Sequence, residues 1–148
     1  MAIDLSEDGP RVIALVGAKE YVLKSRFFGQ VCTGLKHFRR VSPDRKARYL
    51  RFFEKRYSKI RELLALARIV LSIREAKTLI EIHRPVLIVI DNKLAKSIDY
   101  QPKVLEDAPK PRYLNDLMTI ADNLANYFRI LLRNDPKRFR EELERFEK

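Results

Sequence analysis

Arg84-Pro85-Val86-Leu87-Ile88-Val89-Ile90-Asp91-Asn92-Lys93 (RPVLIVIDNK) is the stretch on which the reading of this chain turns. Val86 to Ile90 is an unbroken apolar run, four of its five residues β-branched, with charge on both sides. A run apolar at every position suits a central strand covered on both faces better than a short helix. It ends on an acid. In open α/β sheets ligands bind beyond the carboxyl ends of the strands, so Asp91 stands where chemistry is done. The plainer role open to it is to cap the following turn.

Upstream, Ala2 to Ser6 reads as a short extended segment, Asp8-Gly9-Pro10 as a turn and Val12 to Val16 as a strand. Tyr21 to Phe28 reads as a third strand, joined through a hairpin at Gly17-Ala18-Lys19-Glu20, giving a three-stranded antiparallel meander. Ser42-Pro43-Asp44 opens a helix, and Leu50, Phe53, Tyr57, Ile60 and Leu64 repeat at helical spacing. That periodicity predicts helix to about Ile82, with a break near Ser58, until Pro85 stops it. Downstream, Asn92 to Ile98 predicts one helical turn, Lys103 to Leu105 a short parallel strand, and Tyr113 to Arg133 and Lys137 to Glu147 two helices.

The chain of 148 residues is one domain by size, residues 135–148 forming a helical extension. No segment approaches the length of a membrane span and nothing resembles an export signal, so a cytoplasmic protein is expected. Cys32 alone rules out an intrachain disulfide and a cysteine zinc site. A high Lys, Arg and Glu content with few Gln points to a thermophilic source.

The net charge is +11, and +9 of it lies between Lys36 and Arg61, where eleven Lys/Arg face two acids. Such a local excess points to a polyanion, nucleic acid above all. Phe38, Tyr49, Phe52, Phe53 and Tyr57 are interleaved with these cations. They are either a stacking surface for unpaired bases or, the better-weighted alternative, the core stripe of an amphipathic helix.

Two further acids stand out. Asp4 sits inside Ala2-Ile3-Asp4-Leu5, where a plain strand seldom turns a carboxylate inward. On the helix from Tyr113 to Arg133, the ridge Asn115, Thr119, Asp122, Asn126, Arg129, Arg133 alternates by four and three residues beside the apolar face. Short polar groups surround one acid there and give way to two arginines, as in a polar site that continues into a phosphate-binding edge. Carboxylates brought together stay ionised only when compensated, and oxygen ligands suit Mg²⁺ or Mn²⁺, which can activate water for phosphodiester hydrolysis.

Ile3-Asp4-Leu5-Ser6-Glu7-Asp8-Gly9, Val86 to Asp91, and Ile120-Ala121-Asp122-Asn123-Leu124-Ala125, in that order around a meander, resemble the ribonuclease H-like superfamily, and most nearly its small archaeal and bacterial members. The resemblance runs from about Ala2 to Arg133. It implies an α/β fold, a ribonuclease H-like mixed five-stranded sheet of an antiparallel meander plus parallel strands with flanking helices. It also implies metal-dependent cleavage of single-stranded DNA by four acids, with 3′→5′ exonuclease polarity. Asp4, Asp91 and Asp122 take the positions of three of them and would hold the metal. Glu54 is the choice for the fourth, with Glu62 and Glu7 as substitutes. Arg45, Arg48, Arg51, Lys55, Arg129 and Arg133 are the expected nucleic-acid contacts. Of the histidines, His83 precedes the strand at its wrong end and His37 belongs to the basic segment, so neither is assigned a role. RNA is an alternative substrate, and the protein is a monomer or a homodimer. Two other classes stay open: a non-catalytic single-stranded nucleic-acid-binding module with a decayed site, and an interaction protein dimerising through Phe139, Leu143 and Phe146.

Overall fold

The computed structural model describes residues 1–6 and 8–148. The fold is α/β, built on a five-stranded mixed sheet flanked by helices. Strands β1 (Ala2–Leu5), β2 (Ile13–Gly17), β3 (Leu66–Val70), β4 (Ile88–Ile90) and β5 (Lys103–Leu105) lie in the order β3-β2-β1-β4-β5. The β1-β2 and β2-β3 pairs are antiparallel, and β1-β4 and β4-β5 are parallel.

The meander is present, but its third strand is not the expected one. Tyr21 to Phe28 forms two short helices instead, α1 (Glu20–Leu23) and α2 (Arg26–Val31). Ser25 starts the second by accepting the Phe28 N–H at 3.2 Å, which leaves Tyr21 and Phe27 exposed. The third strand is β3, cut from the middle of the predicted long helix. That helix divides into α3 (Lys46–Leu63), continuous through Ser58, and α4 (Ile73–His83). A capping box begins α4: Ser72 Oγ accepts the Glu75 N–H, and Glu75 accepts the Ser72 hydroxyl. A strand buried on both faces and a buried helix segment have the same apolar pattern, and periodicity alone cannot separate them.

Successive strand residues enter different cores because side chains alternate between faces. Ala2, Ala14, Val16 and Val89 pack against α2, α3, α5 (Arg112–Asn134) and α6 (Pro136–Phe146). Ile3, Ile13, Leu15, Ile88 and Ile90 pack on the other face, beneath α4 and the turns at residues 92–98. Helix α6 is part of the first core. Phe146 stacks on Tyr57 with ring centroids 4.7 Å apart, and the Tyr57 hydroxyl donates to the Phe146 carbonyl at 2.7 Å. The stripe of α6 is thus spent on its own domain. Its last residues also close the free edge of β3: Lys148 and Ala67 exchange two backbone hydrogen bonds, and Glu147 accepts the Ile69 N–H. Among the described residues, no helix is long and apolar enough to cross a membrane.

Candidate active site

The register of the parallel strands assembles the acids. Ala2 pairs with Val89 and Val89 with Val104, and Ile3 pairs with Ile90 and Ile90 with Leu105. One residue further, the Asp91 N–H reaches the Ile3 carbonyl at 3.0 Å and the Glu106 N–H reaches the Ile90 carbonyl at 2.9 Å. Asp4, Asp91 and Glu106 therefore stand in a row across three adjacent strand ends. Alternation turns them to the face that α5 covers, and α5 supplies Asp122.

The four acids line a cleft of about 440 Å³, with His37, Arg39 and Lys93. Asp4, Asp91 and Asp122 are all at least nine-tenths buried. The Asp122 Oδ2 accepts the Phe38 N–H at 2.7 Å, and its Oδ1 accepts from Asn126 Nδ2 at 3.3 Å. His37 Nδ1 stands 3.9 Å from the same Oδ2. Asp91 does cap the following turn, its Oδ1 accepting the Lys93 N–H at 2.7 Å, while still facing the cleft. Beyond Arg39 and Asn92 the cleft opens into a wider groove of about 910 Å³ between Lys36 to Arg40 and the Asn115, Thr119 part of α5.

Burial raises the Asp4 carboxyl well above the ordinary carboxylate range, and the Asp122 charge, a hydrogen bond and charge from Asp91, and Glu106 raise it further. Glu106 is raised as well, by burial first and by Asp91 next. His37 is lowered, chiefly by burial and further by Arg40, Arg39 and Lys110, against the opposing attraction of Asp122. No protein-family model and no curated protein matches this chain.

Among the described residues, no group of three or more His, Cys, Asp or Glu side chains is arranged to hold one metal ion. The donor chemistry nevertheless fits a hard divalent cation: the acids offer oxygen ligands only, and burial first and neighbouring acids next raise the proton affinity of Asp4 and Glu106.

Three of the four expected acids, Asp4, Asp91 and Asp122, are brought together. Glu54 is not among them. It lies between α3 and α6, paired with Arg145 and, at 3.8 Å, with Arg138. Glu62 is exposed on α3, remote from the cleft lining, and Glu7 lies outside the described residues. Glu106, the acid that does reach the cleft, carries the same signal as Asp91, an acid directly after a parallel strand. Its strand is three residues long and only partly buried, so no apolar run in the sequence marks it. His37 also belongs to the cleft, brought there by the backbone bond from Phe38 to Asp122.

The cations divide in two. Arg45, Arg48, Arg51, Lys55 and Arg133 are exposed, while Arg129 is only 7% exposed. The interleaved aromatics are not a stacking surface. Phe38, Phe53 and Tyr57 are core residues, and Phe52 lies under Arg56 with the guanidinium 5.1 Å from its ring centroid.

Proposed function

We propose that the protein is a divalent-metal-dependent nuclease of ribonuclease H-like fold that hydrolyses single-stranded DNA as a 3′→5′ exonuclease. The observation that carries this reading is the row Asp4, Asp91 and Glu106 on neighbouring strand ends, facing Asp122. Such a concentration of buried carboxylates is unfavourable in a plain structural role. Its neighbours are cations that suit a phosphate backbone, so an acidic floor lies within a basic rim. The strand chemistry and polarity come from the resemblance of the Asp4, Asp91 and Asp122 segments to that superfamily.

Asp4, Asp91, Glu106 and Asp122 would hold Mg²⁺ or Mn²⁺, which when bound supplies Lewis acidity and an activated water. Arg39 and Lys93 line the same cleft and orient a phosphodiester there. His37 lines the same cleft, its Nδ1 3.9 Å from Asp122 Oδ2 and its proton affinity lowered chiefly by burial. The exposed Arg45, Arg48, Arg51 and Lys55 on α3 attract the strand by charge.

The test compares wild type with Asp91→Asn on end-labelled single-stranded DNA and RNA, in Mn²⁺, Mg²⁺ or EDTA. Metal-dependent loss of label by the wild type alone is expected. Full activity in Asp91→Asn would remove the assignment. A second reading, a binding module with a decayed site, is favoured by Asp122, both of whose carboxylate oxygens already accept hydrogen bonds from the protein. It predicts strongly salt-dependent binding by both proteins and turnover by neither.

A further inference from the structure

A second cavity, of about 500 Å³, opens between the start of α3, the later half of α5 and α6, and it shares no lining residue with the acidic cleft. Phe38, Leu50 and Tyr127 form its apolar walls, and Lys46, Arg51, Arg129 and Arg138 its cationic ones. Arg129 is more than nine-tenths buried. Its Nε donates to Asn126 Oδ1 at 3.3 Å, and among the described residues no carboxylate forms an ion pair with it. The other two guanidinium nitrogens have no hydrogen-bond partner among the described residues and are not sealed from solvent, so an anion can reach them. Lys46 has a ring face as its neighbour, its Nζ 4.5 Å from the Phe38 centroid. The acid of the cavity, Glu54, is committed to Arg138 and Arg145. On the same wall the buried Tyr127 hydroxyl has no hydrogen-bond partner in the protein. Positive charge thus converges on one open cavity.

We infer that this cavity is a binding site for a phosphoryl group, with Arg129 as its anchoring donor and Lys46 and Arg51 as supporting cations. A carboxylate brings a single charge, whereas a tetrahedral phosphoryl oxyanion presents several oxygens to a guanidinium fork and to further cations at once. Phe38 is too deeply buried to stack a base, so the ligand is recognised by its phosphate. Arg129 follows Asp122 by two turns of α5, about 10 Å along the helix. Asn126 touches both, and Phe38 gives its N–H to Asp122 and its ring to the cavity wall. The site is therefore coupled to the acidic cleft while remaining distinct from it. The phosphoryl group can belong to a nucleic-acid strand or be a free phosphate, and the chemistry is the same.

The test titrates inorganic phosphate into wild type, Arg129→Gln, Arg51→Gln and Lys77→Gln in EDTA, by calorimetry. Saturable binding is expected in wild type and Lys77→Gln, weakened about tenfold or more in Arg129→Gln and less in Arg51→Gln. Since Arg51 is exposed at the cavity, its variant decides the matter even where Arg129→Gln fails to fold. Labelled thymidine oligomers bearing a 5′-phosphate, a 3′-phosphate or neither identify the source. Arg129 dependence confined to one phosphorylated end assigns a terminal phosphate, equal dependence assigns an internal phosphodiester, and dependence seen with inorganic phosphate alone assigns the free ion. Binding of every probe unaltered by both arginine substitutions overturns the inference. Because no turnover occurs in EDTA, an inactive protein that keeps this binding would sink the nuclease reading and leave the phosphoryl site standing.

Discussion

Asp4 is the residue on which the pH behaviour of the molecule should hang. Burial and three neighbouring acids raise its folded pKa above the unfolded value of about 3.9. Between those two values the folded state binds more protons than the unfolded state, so stability contributed by this group falls as pH rises through that window; below it no penalty exists. In EDTA, Asp4→Asn should therefore be more stable than wild type at pH 7, by about 1 kcal/mol, with the difference vanishing as pH is lowered towards 4. Thermal melts across that range check the sign, and a less stable variant at pH 7 would contradict it. Cys32 supplies a second prediction at this scale. Its thiol is 5% exposed and pushed up to about 12, by burial first. A thiol reagent at pH 8 should leave the native protein unmodified and react only on unfolding.

At the scale of the element, two helix ends make contrasting predictions. Helix α4 finishes at Arg84, held at φ 44°, in the left-handed region that disfavours a side chain. Arg84→Gly should raise stability by about 1 kcal/mol in a denaturant titration. Phe146, 2% exposed in the aromatic cluster of α6, behaves oppositely, and Phe146→Ala should cost about 3–5 kcal/mol. Elements with one unambiguous pattern were legible from sequence: the strand at Val12 to Val16, helix α5 and the last three residues of the run ending at Asp91, whose first residue, Val86, is 90% exposed and outside the strand. The misread elements had patterns that two structures share. Leu66 to Val70 continues a helical repeat yet is a strand, and only the Ser72 and Glu75 pair marked the boundary. Tyr21 to Phe28 has strand-like composition, but Ser25 caps a helix inside it. Asp4 was legible as an interruption of an apolar strand, Asp91 as the acid that ends one, and Asp122 as the acid of a short polar ridge beside an apolar helix face. Glu106 interrupts nothing, and the link from His37 to Asp122 spans 85 residues that no local pattern connects.

The whole molecule separates its charges. Carboxylates gather at one end of the parallel strands, and the exposed arginines of α3 spread over a neighbouring surface. Binding of a single-stranded oligonucleotide by Asp91→Asn in EDTA should weaken steeply with salt, its logarithmic slope changing by about 0.7 for each phosphate contact. Arg48→Gln should reduce that slope by one such step, and an unchanged slope would exclude α3 from the binding face.

The closing of the β3 edge by Lys148 also has a temporal meaning. Synthesis delivers all five strands and the helices α1 to α5 before the residues that complete the aromatic cluster and cover the open strand. A ribosome-bound chain still holding residues 139–148 in the exit tunnel has the meander but an unprotected ladder and a gap between Tyr57 and Tyr127. Until residues 139–148 emerge, the nascent chain is therefore open to strand-to-strand association along β3, and their docking ends that exposure.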